Sequence, residues 1–315
     1  MGRGMVLRLI VGGHSCRLYD CDPKVLKQAE RDVVPTADSL ENLVASLEPP
    51  RDIWLSLPAG PPTEEVICQL VDLLSPGDTI LDCSNGYYED DVRRESLLAP
   101  KRIHYLDVGV SNGIHGLEGG YCLMVGGDPT VFDRLKPALL ILAPGNDHAL
   151  PRTPGRSGPI DLAEQGLLHC GPVGSGHLVK MYHNCIEYGV MQSLAEGFAL
   201  LKSAASLKRP HDCQYKLDLA AIAELWRHKS VIRSWLLDLA AEALLKDRDL
   251  HGYLGMVSDS GEGRWGLQDA IDAGVPTPAL AAALFSRFQS QRPRSFGDKL
   301  LSAMRDQFGG HKEGQ

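Results

Sequence analysis

The sequence predicts an α/β domain built on a mostly parallel sheet, followed by an all-helical domain. Three observations predict it. Short apolar runs alternate with helical patterns through the first two-thirds of the chain. The segments that follow those runs (19–20, 58–60, 83–86 and 109–113) are polar or glycine-rich. After residue 172 the pattern turns helical to the end. Strand–helix alternation covers a parallel sheet with helices, and ligands on such sheets sit at the carboxyl ends of the strands.

The elements follow in order. The stretch 6–11 reads as a helix ended by Gly12 and Gly13. Candidate strands lie at 15–20, 52–57, 79–82, 103–108 and 122–125, with helical patterns between them at 23–31, 39–47, 62–74 and 90–98. Residues 144–166 carry four prolines and four glycines with few apolar residues, which predicts a long surface loop. Helical patterns then occupy 174–205, 217–228, 233–245, 267–273, 279–289 and 296–307. The expected domains are 1–172 and 173–315.

Composition narrows the function classes. At 43% hydrophobic and 23% charged, the 315 residues are ordinary for a globular chain of roughly two domains. No apolar run approaches the ~20 residues that span a bilayer, and no secretory signal is read at the N-terminus. A net charge of −8 speaks against a nucleic-acid partner. The eight cysteines show no C-x-x-C pair and no zinc-finger spacing. Free thiols and a cytoplasmic location are expected.

The most informative segment is 174–200. Lys180, His183, Asn184 and Glu187 stand at i, i+3, i+4 and i+7, one face of a helix, with His177 one turn earlier. The other faces carry Leu178, Val179, Met181, Cys185, Ile186, Val190, Met191 and Leu194. A helix apolar on most sides is expected to be buried, and a polar stripe on it then lines a polar cavity. A desolvated Lys beside a cationic His can act as a base, and a Glu in the same crevice as an acid. The alternative is a solvated face with a Lys–Glu pair. Asp20, at the end of the candidate strand 15–20, suits the ribose hydroxyls of a dinucleotide. The alternative for Asp20 is an ordinary turn residue.

Longer blocks carry a resemblance to the 6-phosphogluconate dehydrogenase family, in its shorter, bacterial-type decarboxylating form. They are DCSNG at 82–86 with Arg93 and Arg94, SNGIHGLEGGYCLM at 111–124 and HCGPVGSGH at 169–177. KMYHNCIEYG at 180–189, WRHKSVIRSWLLD at 226–238, SGEGRW at 260–265 and RDQFGGH at 305–311 continue it. The resemblance implies an α/β Rossmann-like doubly wound dinucleotide domain and a helical substrate and dimerisation domain. It implies oxidative decarboxylation of 6-phosphogluconate to ribulose 5-phosphate, a step of the pentose phosphate pathway and of gluconate utilisation. Lys180 matches the general base and Glu187 the acid that protonates C1 of the enediol. Ser111, Gly113, His183 and Asn184 match substrate contacts, and Asn85 a residue between nicotinamide and substrate. Tyr188 and Arg287 match phosphate contacts. Arg305 and His311 match a tail that completes the partner subunit's site, so a homodimer or higher assembly is expected. No metal, nucleic acid or membrane is implied.

Four departures bear on these expectations. The family has glycine at Asn112, where a side chain would crowd the substrate. The usual glycines at Cys83 and Ser84 and the usual serine at Gly86 are changed. Longer members hold phosphate with a Lys and a Thr where this sequence has Ser260 and Glu262, which leaves Arg264 to help. The first strand and first two glycines of the dinucleotide fingerprint are missing, and Gly2 matches only its last glycine. Either the stated start lies inside a longer protein, or the chain is a degenerate relative with a reduced site. Asp20 is followed by Cys21 and Asp22 rather than by an arginine, so NAD is expected over NADP. The rival readings are another β-hydroxyacid dehydrogenase of the superfamily and a catalytically silent binding protein.

Overall fold

Residues 1–145, 150–292 and 294–309 are described in the computed structural model. The chain divides into two compact units, Met1–Tyr182 and His183–Gln315.

The first unit begins with helices α1 (Gly2–Val11), α2 (Pro23–Arg31) and α3 (Leu40–Ala45). Side chains start two of them: the Asp22 carboxylate accepts from the Lys24 N–H, and the Ser39 hydroxyl from the Asn42 N–H. Strand β1 (Asp52–Leu55), helix α4 (Pro61–Leu73), strand β2 (Thr79–Asp82), helix α5 (Tyr88–Leu98) and strand β3 (His104–Ser111) follow. A short helix α6 (Gly116–Gly119), strand β4 (Cys122–Gly127), helix α7 (Pro129–Leu142) and strand β5 (Leu167–Gly171) complete the sheet. Its order is β1-β2-β3-β4-β5, parallel except for the antiparallel β3–β4 pair.

Alternation along the strands feeds two cores. Ile53, Leu55, Ile80 and Tyr105 point to the layer that holds α3, α4 and α5. Leu81, Leu106, Val108 and Val110 point to the layer that holds α1 and α7. A sheet covered on both faces has near-continuous apolar strands, and all four residues of β2 are buried. The doubly wound α/β class is therefore correct for this unit.

Three elements differ from the sequence expectation. Residues 15–20 form no strand; they contribute one isolated parallel bridge, Leu18 to Thr36. An apolar run becomes a strand only where a neighbour supplies a row of hydrogen bonds, and this segment finds a single partner residue among the described ones. Pattern reading assigns nothing to α7, because the apolar residues of 129–142 wrap round the helix. Strand β5 was not expected, since 167–171 alternates only weakly.

Helix α8 (Ser175–Lys202) runs from the first unit into the second. The second unit is helical, with α9 (Leu219–Arg227), α10 (Trp235–Lys246), α11 (Glu262–Asp272), α12 (Pro278–Gln291) and α13 (Phe296–Gly309). Two small cores hold it. Ala223, Ala241 and Leu244 pack beside Phe198, and Cys185, Tyr188, Leu280, Ala283 and Leu284 pack between α8, α11 and α12. No helix among the described residues is long and apolar enough to cross a membrane.

Candidate active site

In the first unit the chemistry gathers where α8 starts. Asp107, on β3, accepts the backbone N–H of Gly174 at 2.7 Å and of His177 at 2.8 Å. It thus satisfies donors that a helix N-terminus leaves unpaired. Three glycines bring α8 onto the sheet. A Cβ on Gly176 would lie 2.4 Å from the Met124 carbonyl and 2.6 Å from that of Asp107. A Cβ on Gly109 would lie 2.5 Å from Cβ of Lys180, and one on Gly126 2.3 Å from the Asp107 carboxylate. Lys180 is consequently buried, 7% exposed, with its stem against β3.

Gly176→Ala should destabilise the protein by about 1–3 kcal/mol, because the obstructing atoms are backbone and cannot rotate away. Gly189, on the same helix, has open space around it. Gly189→Ala should be neutral or slightly stabilising. Urea unfolding of both variants checks the contrast.

Behind Lys180 lies a buried ion network. Arg94, on α5, donates to Asp82 at 3.1 Å and to Glu64 at 3.0 Å. The Tyr105 hydroxyl donates to Asp82 at 2.9 Å and stands at the same distance from Asp91. His177 Nδ1 lies 2.7 Å from Asp91, both side chains fully buried. Arg93 holds Glu64 down to about 2, against the effect of burial and with Arg94 adding to it. Asp82, Asp91 and His177 bring one donor atom each within 4.8 Å of one another. Arg94 and Tyr105 already take the carboxylates, so the set reads as an ion-pair network.

Burial alone would lower the His177 imidazolium, but Asp91, Asp82 and Asp107 outweigh it and raise its pKa to about 9. Burial pushes the Asp91 carboxyl up, with His177 opposing. The sign for His177 is set by a folded pKa above the unfolded value of about 6.5. Its contribution is complete below pH 6.5 and is lost as the pH rises through 9. Stability should fall by roughly 2–3 kcal/mol across that window, and His177→Asn should lack this slope in unfolding midpoints taken from pH 6 to 9.5.

The other expected residues of this unit are placed as follows. Ser111 ends β3, and Gly113 opens the turn after it with φ +45°. Asn112 between them has φ +92°, which is why glycine suits that position. Its side chain turns to the Gly120 carbonyl at 2.7 Å. Asn85 is exposed on the loop after β2, whose Gly86 touches His177: a Cβ there would lie 2.9 Å from Nδ1.

Residues that could hold a dinucleotide lie on α1 and in the loop before α2. Helix α1 starts at Gly2 with no side chain capping its N–H groups, and a Cβ on Gly2 would lie 3.1 Å from that of Ser56. Asp20 accepts the Asp22 N–H at 2.8 Å, which fixes its carboxylate. Uncapped N–H groups suit a phosphate, and a fixed carboxylate suits a ribose, so these residues fit the group.

The second unit carries the rest. His183 Nδ1 lies 3.1 Å from Asn184 Oδ1 and 3.9 Å from Glu187. Asn184 donates through Nδ2 to the buried Glu262 at 3.0 Å, and the Ser260 hydroxyl donates to the other Glu262 oxygen. The Arg287 guanidinium covers the Tyr188 ring at 3.4 Å and donates to the Ser258 carbonyl at 2.9 Å. Glycines again allow the approach: a Cβ on Gly263 would strike the Tyr188 ring at 2.6 Å. Arg264 pairs with Asp259 and lies over Phe288. Arg305 is exposed on α13. His311 lies outside the described residues.

The stripe on α8 corrects one expectation. Its polar residues His177, Lys180 and Asn184 are buried, while Val179, Tyr182, Ile186 and Val190 are exposed, Ile186 by 69%. Burial here follows the close glycine contacts and the ion pairs, not hydropathy. Sequence reasoning missed Asp82, Asp91, Tyr105 and Asp107 as partners and Gly109, Gly126 and Gly176 as contacts. Isolated glycine inside the apolar strand β3 was the available signal for a close backbone approach.

The family model for the NAD binding domain of 6-phosphogluconate dehydrogenase matches residues 1–147, and that for the 6-phosphogluconate dehydrogenase C-terminal domain matches residues 210–313. The chain is 34% identical over 313 residues to the NAD(+)-dependent, decarboxylating 6-phosphogluconate dehydrogenase of Haloferax volcanii, covering 99% of this chain and 95% of that protein. The 6-phosphogluconate dehydrogenase of Plasmodium falciparum, solved apo, with its cofactor NADP+ and with its substrate 6-phosphogluconate, is similar at TM-score 0.75 and 27% identity. That match covers 98% of this chain and 63% of the other. A 3-hydroxyisobutyrate dehydrogenase of Salmonella typhimurium shares the fold, at TM-score 0.69, 18% identity and coverage of 90% and 88%.

Proposed function

Because the chain belongs to the 6-phosphogluconate dehydrogenase family, we propose that it oxidises and decarboxylates 6-phospho-D-gluconate to ribulose 5-phosphate and CO2, preferring NAD to NADP. The observation that carries this is Lys180, buried and held against β3 by Gly109 and Gly176. A lysine in such a place can take the proton of the substrate 3-hydroxyl. A nicotinamide bound beside it would supply the acceptor for the hydride that leaves C3. The 3-keto acid so formed loses CO2, because its carbonyl takes up the electron pair of the breaking C–C bond. Glu187, two turns further along α8, protonates C1 of the resulting enediol. His183 and Asn184 orient the hydroxyl-bearing end, with Ser111 and Gly113. Tyr188 and Arg287 hold the phosphate, the guanidinium being fixed by the ring and by the Ser258 carbonyl. Gly2, Asp20 and Asn85 serve the dinucleotide. Asp20 and Asp22 side by side disfavour a 2′-phosphate and so support NAD.

The domains in this proposal are 1–172 for the dinucleotide and 173–315 for substrate and dimerisation, in a cytoplasmic enzyme of the pentose phosphate route. The exposed apolar side chains of α8 support a homodimer, with Arg305 and His311 reaching the partner's site. A second reading, a β-hydroxyacid dehydrogenase acting on an unphosphorylated acid, is favoured by one observation. Glu262, at the position where the resemblance has longer members hold phosphate, is a buried carboxylate.

The test mixes the chain with 6-phosphogluconate and NAD or NADP and follows reduced cofactor and CO2 together. Equal yields of both support the proposal. Reduced cofactor without CO2 supports the second reading. Similar rates with both cofactors at limiting concentration overturn the preference for NAD.

A further inference from the structure

Glu262 does more than tie α11 to α8. It is 2% exposed, and both carboxylate oxygens accept hydrogen bonds, Oε1 from Asn184 Nδ2 at 3.0 Å and Oε2 from the Ser260 hydroxyl. A carboxylate facing an amide admits one orientation of that amide, the one that turns Nδ2 toward it. The Asn184 carbonyl oxygen then faces the other way, where His183 Nδ1 stands 3.1 Å off. An oxygen acceptor at that distance requires the proton on Nδ1. Glu187, 3.9 Å from the same nitrogen, is too far to accept a hydrogen bond, but its carboxylate favours a proton on that side of the ring. In the neutral ring Nε2 is thereby left as an acceptor.

We propose that Glu262 is a positioning residue that sets, through the Asn184 amide, the Nδ1–H tautomer of His183, so that His183 offers Nε2 as an acceptor for a substrate hydroxyl proton. This rests on the reading of α8 as the substrate helix. It deepens that reading by naming a hydroxyl-bearing carbon chain as the class recognised. Glu262 lies 78 residues from Asn184, and the packing that joins them depends on Gly263 and Gly266. A Cβ on Gly263 would strike the Tyr188 ring, and one on Gly266 would lie 2.2 Å from the Cys185 sulfur.

The test is a long-range 1H–15N spectrum of the histidine rings of the full chain, at a pH where His183 is neutral. The His183 signals are assigned by their loss in His183→Gln. The expected result is a protonated Nδ1 and a bare Nε2. Glu262→Ala should shift the ring toward the Nε2–H form, and Glu262→Gln, which keeps an acceptor for Asn184, should hold it. An Nε2–H ring in the wild-type chain overturns the proposal even if Glu262→Ala fails to fold. So does a ring indifferent to Glu262→Ala in a folded variant. Steady-state kinetics with 6-phosphogluconate give the second readout. KM should rise roughly tenfold in Glu262→Ala, the loss of a hydrogen bond to a charged group, while kcat changes less than about threefold. Glu262→Gln should recover most of the loss. Absence of turnover by the wild-type chain would refute the assigned activity and leave the tautomer to decide the role of Glu262.

Discussion

Lys180→Met should retain the fold and lose turnover by about a thousandfold or more, the scale of a missing general base in a site that also orients its substrate. Methionine fills the space of the lysine stem, so the contacts of Cβ and Cγ with the Gly109 backbone survive. What disappears is the amine proposed to accept the 3-hydroxyl proton. The thermal midpoint should move by no more than a few degrees, and dinucleotide binding should be unchanged, because Gly2 and Asp20 lie on other elements. Retained turnover in this variant would place the base elsewhere. Loss of turnover together with unfolding would instead mark Lys180 as a structural ion.

Arg94→Met should be the most destabilising single change. Arg94 is 1% exposed and bonds two carboxylates, those of Asp82 and Glu64. Its removal leaves the buried Asp82 and Asp91 with the Tyr105 hydroxyl and His177 as partners and no guanidinium between them. Breaking a buried ion pair by removing one partner costs about 3–5 kcal/mol, which in a chain of this size lowers the thermal midpoint by roughly 10 °C. Adding Asp82→Asn should recover part of the loss, since the uncompensated charge goes with it. An exposed pair gives the control. Arg248→Met, which breaks the exposed contact with Asp218, should change stability by no more than about 1 kcal/mol. Equal losses from the two arginine changes would contradict the network as described.

Periodicity and spacing were enough to read strands β1–β4, the helical second unit and the stripe from Lys180 to Glu187. Each depends on side chains a few residues apart, which meet on one turn or one strand face. They failed where the partner is remote. The run at 15–20 is apolar enough for a strand, but a strand needs a neighbour, and among the described residues only Thr36 bridges it. The apolar residues of α8 predicted burial for the whole helix, yet Val179, Ile186 and Val190 are exposed in the chain. Glu262 was legible as a departure from the family pattern but not as the partner of Asn184.

The sequence by itself determined the α/β order, the helical second part, the family and the residue types that can move a proton on α8. Only the tertiary structure decided which of them are buried and what holds them. Asp91 and His177 are 86 residues apart and Asp107 and Gly174 are 67 apart, yet they form one network at the start of α8. No local pattern encodes such pairs, because burial in a low-dielectric interior is what makes a charge seek its partner, and burial is a property of the packed chain. The contacts of Gly109 and Gly176 have the same origin: an absent side chain acquires meaning only when another backbone arrives in its place.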